Sequence, residues 1–188
     1  MRTDKDLIYQ ELLVLRCQRG DRAALEELVT AWERRLFYFI RRLGSDEQDA
    51  WDLLQQTWLK ILRGISSLKE PRNLAPWLYR IARNTVINHG QTRSLHRQRL
   101  EELPPAGEAE DDPGPRNLDD AEQIHHGLVQ LALPHREVLT LHFLESMTVE
   151  QIAEVLEVPP GTVKSRLYHA RRALRAVLEK EDERDIPS

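Results

Sequence analysis

With one cysteine in 188 residues, Cys17, the chain can close no internal disulfide and has no CxxC pair for zinc binding or thiol redox chemistry. No run of 18 apolar residues occurs, which excludes a transmembrane helix. The opening Met1-Arg2-Thr3-Asp4-Lys5-Asp6 lacks the apolar stretch of a signal peptide. The seven histidines have no HExxH spacing, and no phosphate-cradling loop or nucleophile–base pair stands out. These gaps leave no basis for a metal, a cofactor or catalysis, and a reducing, cytoplasmic setting without membrane insertion is expected. What remains is a balance of 40% apolar and 31% charged residues, ordinary for a globular protein of one or two domains.

The formal net charge of −4 averages over unlike segments. Residues 101–122 hold nine acids and one base, a net −8, so the other 166 residues carry +4. Lys164, Arg166, Arg171, Arg172 and Arg175 form a basic cluster without an acid among them, and Arg93, Arg97 and Arg99 form a second. Two basic patches separated by an acidic stretch point to two contacts with a polyanion. The acidic stretch is also dense in proline (Pro104, Pro105, Pro113, Pro115) and glycine (Gly107, Gly114), which suits a flexible linker with little to bury.

Everywhere else the pattern is helical, with no repeat and no strand alternation. A first helix is expected near 6–19, with Cys17 half-buried near its end. Asp21 caps a second, whose Leu25, Leu28, Trp32, Leu36, Phe39, Ile40 and Leu43 share one face. Gly44 stops that helix and Ser45 or Asp46 starts the next, with Trp51, Leu54, Trp58, Ile61 and Leu62 as its apolar stripe. Residues 64–75 read as a loop. Pro76 suits the first turn of a fourth helix, buried through Trp77, Leu78, Ile81, Ala82, Thr85 and Val86. Beyond the linker, helices are expected near 119–132, 135–146, 148–157 and 160–180. Thr148 and Gln151 have capping-box spacing. The break Val158-Pro159-Pro160-Gly161 is short, so a short helix, a tight turn and a longer basic helix follow one another. That is the layout of a helix-turn-helix, whose second helix enters the major groove. The fold class is therefore all-α: two small helical domains joined by a flexible acidic linker, the second a four-helix helix-turn-helix domain. The adjacent His125 and His126 point to different faces and read as surface residues.

Three strings then resemble one known family. DAWDLLQQTWLKI (49–61) is similar to the polymerase-binding helix, PWLYRIARNTVINH (76–89) to the promoter-melting helix, and LPHREVLTLHFLESMTVEQIAEVLEVPPGTVKSRLYHARRALR (133–175) to the −35-reading domain of bacterial extracytoplasmic-function (ECF) sigma factors. The resemblance implies 1–97 as sigma domain 2, 98–118 as linker, 119–180 as sigma domain 4 and 181–188 as a tail. It implies an alternative sigma factor, not an enzyme, that binds core RNA polymerase and promoter DNA and is held by an anti-sigma factor.

By the same resemblance Lys164, Ser165, Tyr168 and His169 match base-reading positions for the −35 element, while Arg166, Arg171 and Arg172 grip phosphates. Arg72, Asn73, Arg80, Arg83, Asn84 and Asn88 fall to the −10 element, with Asn84 holding a flipped base. Trp77 and Tyr79 are the aromatics near enough to stack on it, Trp77 being assigned to the core. Asp49, Asp52, Gln55 and Gln56 fall to the polymerase. The family usually has acids where Trp51 and Gln56 stand, so this surface is less acidic than usual. The alternative reading is a stand-alone helix-turn-helix regulator, binding an operator as a dimer.

Overall fold

The computed structural model describes residues 4–44, 46–100 and 127–184, with side chains over 8–44, 46–91 and 127–178. The acidic stretch, His125 and His126 lie outside the described residues. So do the side chains of Arg93, Arg97 and Arg99.

Four helices build the N-terminal unit. α1 (Asp4–Gln18) buries Leu13, Val14 and Cys17, and the Gln18 amide donates to the carbonyls of Ile65 (3.0 Å) and Leu68 (2.8 Å). Cys17 is thus fully covered rather than half-buried. α2 (Arg22–Arg42) starts where expected because the Asp21 carboxylate accepts the Ala24 N–H at 3.1 Å. Its face of Leu28, Trp32, Leu36, Phe39 and Ile40 is fully buried, with Leu25 packed at the margin. Each such side chain contributes about 1.5–3 kcal/mol by leaving water. Gly44, at φ +102°, turns the chain out of α2 in a conformation that a Cβ would strain.

α3 (Glu47–Gly64) begins on Asp46, whose carboxylate accepts the Asp49 N–H at 2.7 Å. Here the expected stripe is corrected. Leu54, Trp58 and Ile61 are buried together with Ala50, Leu53 and Thr57, but Trp51 and Leu62 are 45% and 43% exposed. The covered face of α3 is rotated so that positions 50, 53, 54, 57, 58 and 61 meet α2 and α4. Residues 64–75 are less loop than expected. Two 3₁₀ turns, Ile65–Ser67 and Pro71–Asn73, lead into α4 (Leu74–Leu100), which therefore begins two residues before Pro76. Leu74, Leu78, Tyr79 and Ala82 seat α4 in the core, Tyr79 edge-on to both Trp32 and Phe39.

In the C-terminal unit, the expected helix near 119–132 survives among described residues as a helical stretch at 127–129. α5 (Leu133–Leu139) widens into a π-helix over Thr140–Leu144, where the Glu145 N–H reaches back five residues to the Thr140 carbonyl. α6 (Val149–Leu156) carries the capping box, with Thr148 and Gln151 each bonding the other's backbone N–H. Glu157 takes the left-handed conformation (φ 55°, ψ 45°) that ends α6. Pro160 then opens α7 (Pro160–Arg184). Val163, Leu167 and Ala170 bury its inner face against α5 and α6.

The two units touch. α6 packs against α4, and Arg136 of α5 approaches the end of α2 so closely that a Cβ on Gly44 would lie 2.6 Å from its Nη1. Among the described residues no helix is long and apolar enough to cross a membrane.

Candidate nucleic-acid interface

α7 presents its chemistry on one side. With Val163, Leu167 and Ala170 turned inward, Lys164, Ser165, Tyr168, His169, Arg171 and Arg172 are exposed and Arg166 is half-buried. Tyr168 lies edge-on to His169 at 5.3 Å and carries the Arg172 guanidinium over its ring at 5.8 Å. Arg171 sits over Phe143 at 4.9 Å, a contact that holds a cation at the border of α5 and α7. The face thus offers cations, a hydroxyl, a phenol and an imidazole in a row, the chemistry that meets phosphates and base edges in a major groove.

A second surface forms where the 3₁₀ turns meet α4. Ser67, Leu68, Lys69, Glu70, Asn73, Pro76, Trp77 and Arg80 line a pocket of about 320 Å³, with Glu154 of α6 at its edge. One pair of expected −10 residues is brought together here: Asn73 and Arg80 share this pocket, whereas Asn84, half-buried one turn along α4 from Arg80, lies outside its lining. Arg72 faces the other way and pairs with Glu11 of α1 at 2.6 Å. Arg83 is turned into the interface between the units and pairs with Glu137 at 2.6 Å. Asn88 is exposed at the far end.

Of the two aromatics, Tyr79 departs from expectation and Trp77 holds to it in part. Tyr79 is fully buried and its hydroxyl donates to Glu145, so it offers no stacking surface. Burial and the Glu145 charge push its phenol far above the usual range. Trp77, assigned to the core, packs against it and is partly buried, and its remaining surface forms part of the pocket wall. Sequence periodicity placed both on one helix but could not tell the wall from the interior.

The outer side of α3 is a third surface. Asp52, Gln55 and Gln56 are exposed, while Asp49 is half-buried in the first turn. The exposed Trp51, Leu59 and Leu62 run along the same side, and Trp51 rests on Phe37 with ring centroids 4.3 Å apart. These three apolar residues were missed as surface groups. Positions 51, 55, 59 and 62 are helically spaced, with Gln55 interrupting the three apolar residues, so a second, broken apolar row outside the core was present in the sequence as a signal.

Comparison with known proteins agrees with this arrangement. The model of sigma-70 region 2 matches residues 28–95 and that of sigma-70 region 4 matches residues 121–174. The RNA polymerase sigma-H factor of Pseudomonas aeruginosa is 33% identical over 180 residues, covering 89% of this chain and 92% of that protein. The ECF RNA polymerase sigma-E factor of Escherichia coli is 29% identical over 178 residues, covering 89% and 93%. Among solved structures, the sigma factor RpoE bound to the anti-sigma factor NepR from Bartonella quintana superposes with a TM-score of 0.69 at 25% identity, over 82% of this chain and 96% of that one. CnrH in complex with the cytosolic domain of CnrY shares the fold, with a TM-score of 0.66 at 22% identity over 91% and 97% of the two chains.

The chain belongs to the sigma-70 family of RNA polymerase sigma factors. Within it, the chain is an ECF-type member with regions 2 and 4, which directs promoter-specific initiation of transcription. Sigma factors bind core RNA polymerase and catalyse no reaction of their own. The match to region 2 removes the stand-alone regulator as an alternative, since that reading has no need of a melting helix in residues 1–97.

Proposed function

We propose a division of labour in which residues 1–97 bind polymerase and open the −10 element, residues 119–180 read the −35 element, 98–118 link them and 181–188 form a tail. Lys164, Ser165, Tyr168 and His169 read base edges, while Arg166, Arg171 and Arg172 grip phosphates. The observation that carries this reading is the continuous exposed polar row on α7 beyond the tight turn at Glu157. On region 2, Arg80 and Asn88 follow the −10 backbone, Arg72 and Arg83 join them by exchanging Glu11 and Glu137 for phosphate, and Asn73 and Asn84 take an extruded base at the pocket between the 3₁₀ turns and α4. An amide suits that task because it offers both donors and an acceptor to a Watson–Crick edge.

Polymerase docks on Asp49, Asp52, Gln55 and Gln56, with Trp51, Leu59 and Leu62 as apolar anchors among them. An anti-sigma factor is the regulatory partner, supported by the likeness to RpoE in its complex with NepR. The protein works in the bacterial cytoplasm, at the nucleoid when part of holoenzyme.

Permanganate footprinting of the −10 region tests the melting role. Holoenzyme carrying Asn84→Ala is expected to retain polymerase binding and −35 contact but to lose thymine reactivity. A promoter mismatched across the −10 region is expected to recover part of that loss. Equal reactivity in wild type and variant would remove Asn84 from the mechanism.

A further inference from the structure

Between the end of α3 and the start of α4, residues 65–73 are ordered by two 3₁₀ turns alone. Such turns bond poorly and occur in short pieces. Yet Ser67, Leu68, Lys69 and Asn73 of this segment line the pocket. The Trp77 wall is fixed by packing: it stands so close to the end of α3 that a Cβ on Gly64 would lie 3.2 Å from its ring. The turn side needs an anchor of its own. Within the segment the Leu68 N–H donates to the Ile65 carbonyl at 3.2 Å and the Ser67 hydroxyl to the Gly64 carbonyl at 2.7 Å. Both bonds are local and shape the turn without fixing its place.

The anchor comes from α1. Nε2 of the half-buried Gln18 donates to the Ile65 carbonyl at 3.0 Å and to the Leu68 carbonyl at 2.8 Å, 47 and 50 residues away, so one amide spans the first turn from end to end. Gln18 closes a helix that is itself seated by Leu13, Val14 and Cys17 and braced by Arg16 on Asp21 at 2.8 Å. The other tie from α1, Glu11 to the exposed Arg72, uses a cation that a phosphate can claim. The Gln18 bonds differ. They end on backbone carbonyls, which accept hydrogen bonds as phosphate oxygens do, so an incoming phosphate cannot take the amide's place there.

Given the pocket as the seat of the extruded base proposed above, we infer that Gln18 is a positioning residue for −10 recognition. Its amide holds Ser67, Leu68 and Lys69 at a fixed distance from Asn73, Trp77 and Arg80, and that distance sets which base fits. Choosing one base needs partners held within about 0.5 Å, because a looser rim bonds several bases about equally well. In this role Gln18 touches no base and acts through the turn alone. A base that lacks one hydrogen bond to a fixed partner is then disfavoured about tenfold.

The test uses holoenzyme and promoter probes already mismatched across the −10 region, varied one base at a time. Asn73→Ala marks the position that the pocket reads. There the wild type is expected to prefer one base about tenfold. Gln18→Met keeps the length of the side chain but has no donor, and is expected to cut that preference to about threefold or less. Equal weakening of all four bases, the mark of a role in folding alone, would overturn the inference, as would an unchanged preference. In the free full-length chain, peptides covering 65–69 are expected to exchange their amide hydrogens roughly tenfold faster in Gln18→Met, at unchanged helical circular dichroism. Unchanged exchange would show that the turn is held without Gln18 and would overturn the inference too. Should Gln18→Met lose its helical signal, Gln18→Glu, of the same shape and without a donor at neutral pH, takes its place in both measurements. Failure of the pocket reading is separately visible, because Asn73→Ala would then relax the preference at no −10 position, and the role of Gln18 would fall with it.

Discussion

Glu157 ends α6 at φ 55° and ψ 45°, a conformation in which its Cβ crowds the following carbonyl oxygen. That crowding costs a residue with a Cβ about 1–2 kcal/mol, whereas glycine adopts the same angles freely. Glycine also leaves a more mobile unfolded chain, which returns roughly 0.5–1 kcal/mol of the gain. The Glu157 side chain is exposed, so its removal forfeits little. Glu157→Gly is therefore expected to stabilise the helix-turn-helix by about 0.5–1 kcal/mol.

Tryptophan fluorescence cannot follow this, because Trp32, Trp51, Trp58 and Trp77 all lie in the N-terminal unit. Native-state hydrogen exchange on peptides covering α6 and the first turns of α7 reads the right place. Their slowest amides are expected to exchange about 2- to 5-fold more slowly, the factor that corresponds to this free energy. Glu157→Ala keeps the Cβ and removes only the exposed remainder of the side chain, so it is expected to match wild type. If the glycine and alanine variants exchanged alike, the backbone strain would have no part in the stability of the turn.

Thr148→Ala removes the acceptor for the Gln151 N–H and is expected to destabilise α6 by about 1 kcal/mol, seen as faster exchange of the same peptides. Asp21 accepts from the Ala24 N–H and from the Arg16 guanidinium, which together hold its carboxyl below the usual range. Its contribution to stability is accordingly full above the unfolded value of about 3.9 and fades as pH falls through the folded one; Asp21→Asn, which still caps, is expected to flatten the urea-midpoint profile below about pH 4. Trp51→Ala or Leu59→Ala is expected to weaken binding to core polymerase by more than about 1 kcal/mol, measured by competition for core enzyme with helical circular dichroism unchanged. Lys164→Ala is expected to alter −35 base preference, by up to about 1–3 kcal/mol if it makes a bidentate contact, whereas Arg171→Ala is expected to weaken all sequences alike and flatten the salt dependence. Equal loss on every −35 sequence for Lys164→Ala would remove it from base reading.

Local signals in the sequence determined most of the helices and the starts that carry a side-chain cap. Asp21, Asp46 and the Thr148–Gln151 pair cap helices where expected because an N-cap acts within three residues of itself. The polar row on α7 was equally legible, since Val163, Leu167 and Ala170 fix which side is buried and the rest follows from the helical period. What periodicity could not decide was which of two apolar rows on α3 meets the core. The helix carries Trp51, Leu59 and Leu62 on one side and Leu54, Trp58 and Ile61 on another, and only its packing against α2 and α4 selects the second. Tyr79 is buried rather than free to stack for the same reason. The pairing of Arg83 with Glu137, 54 residues apart, and of Arg35 with Glu145, 110 apart, belonged wholly to the tertiary structure. In the sequence each is one charge among many on a helix. Only when the two units close does burial remove the water that would otherwise serve each charge, and an unpaired charge there would be too costly to keep.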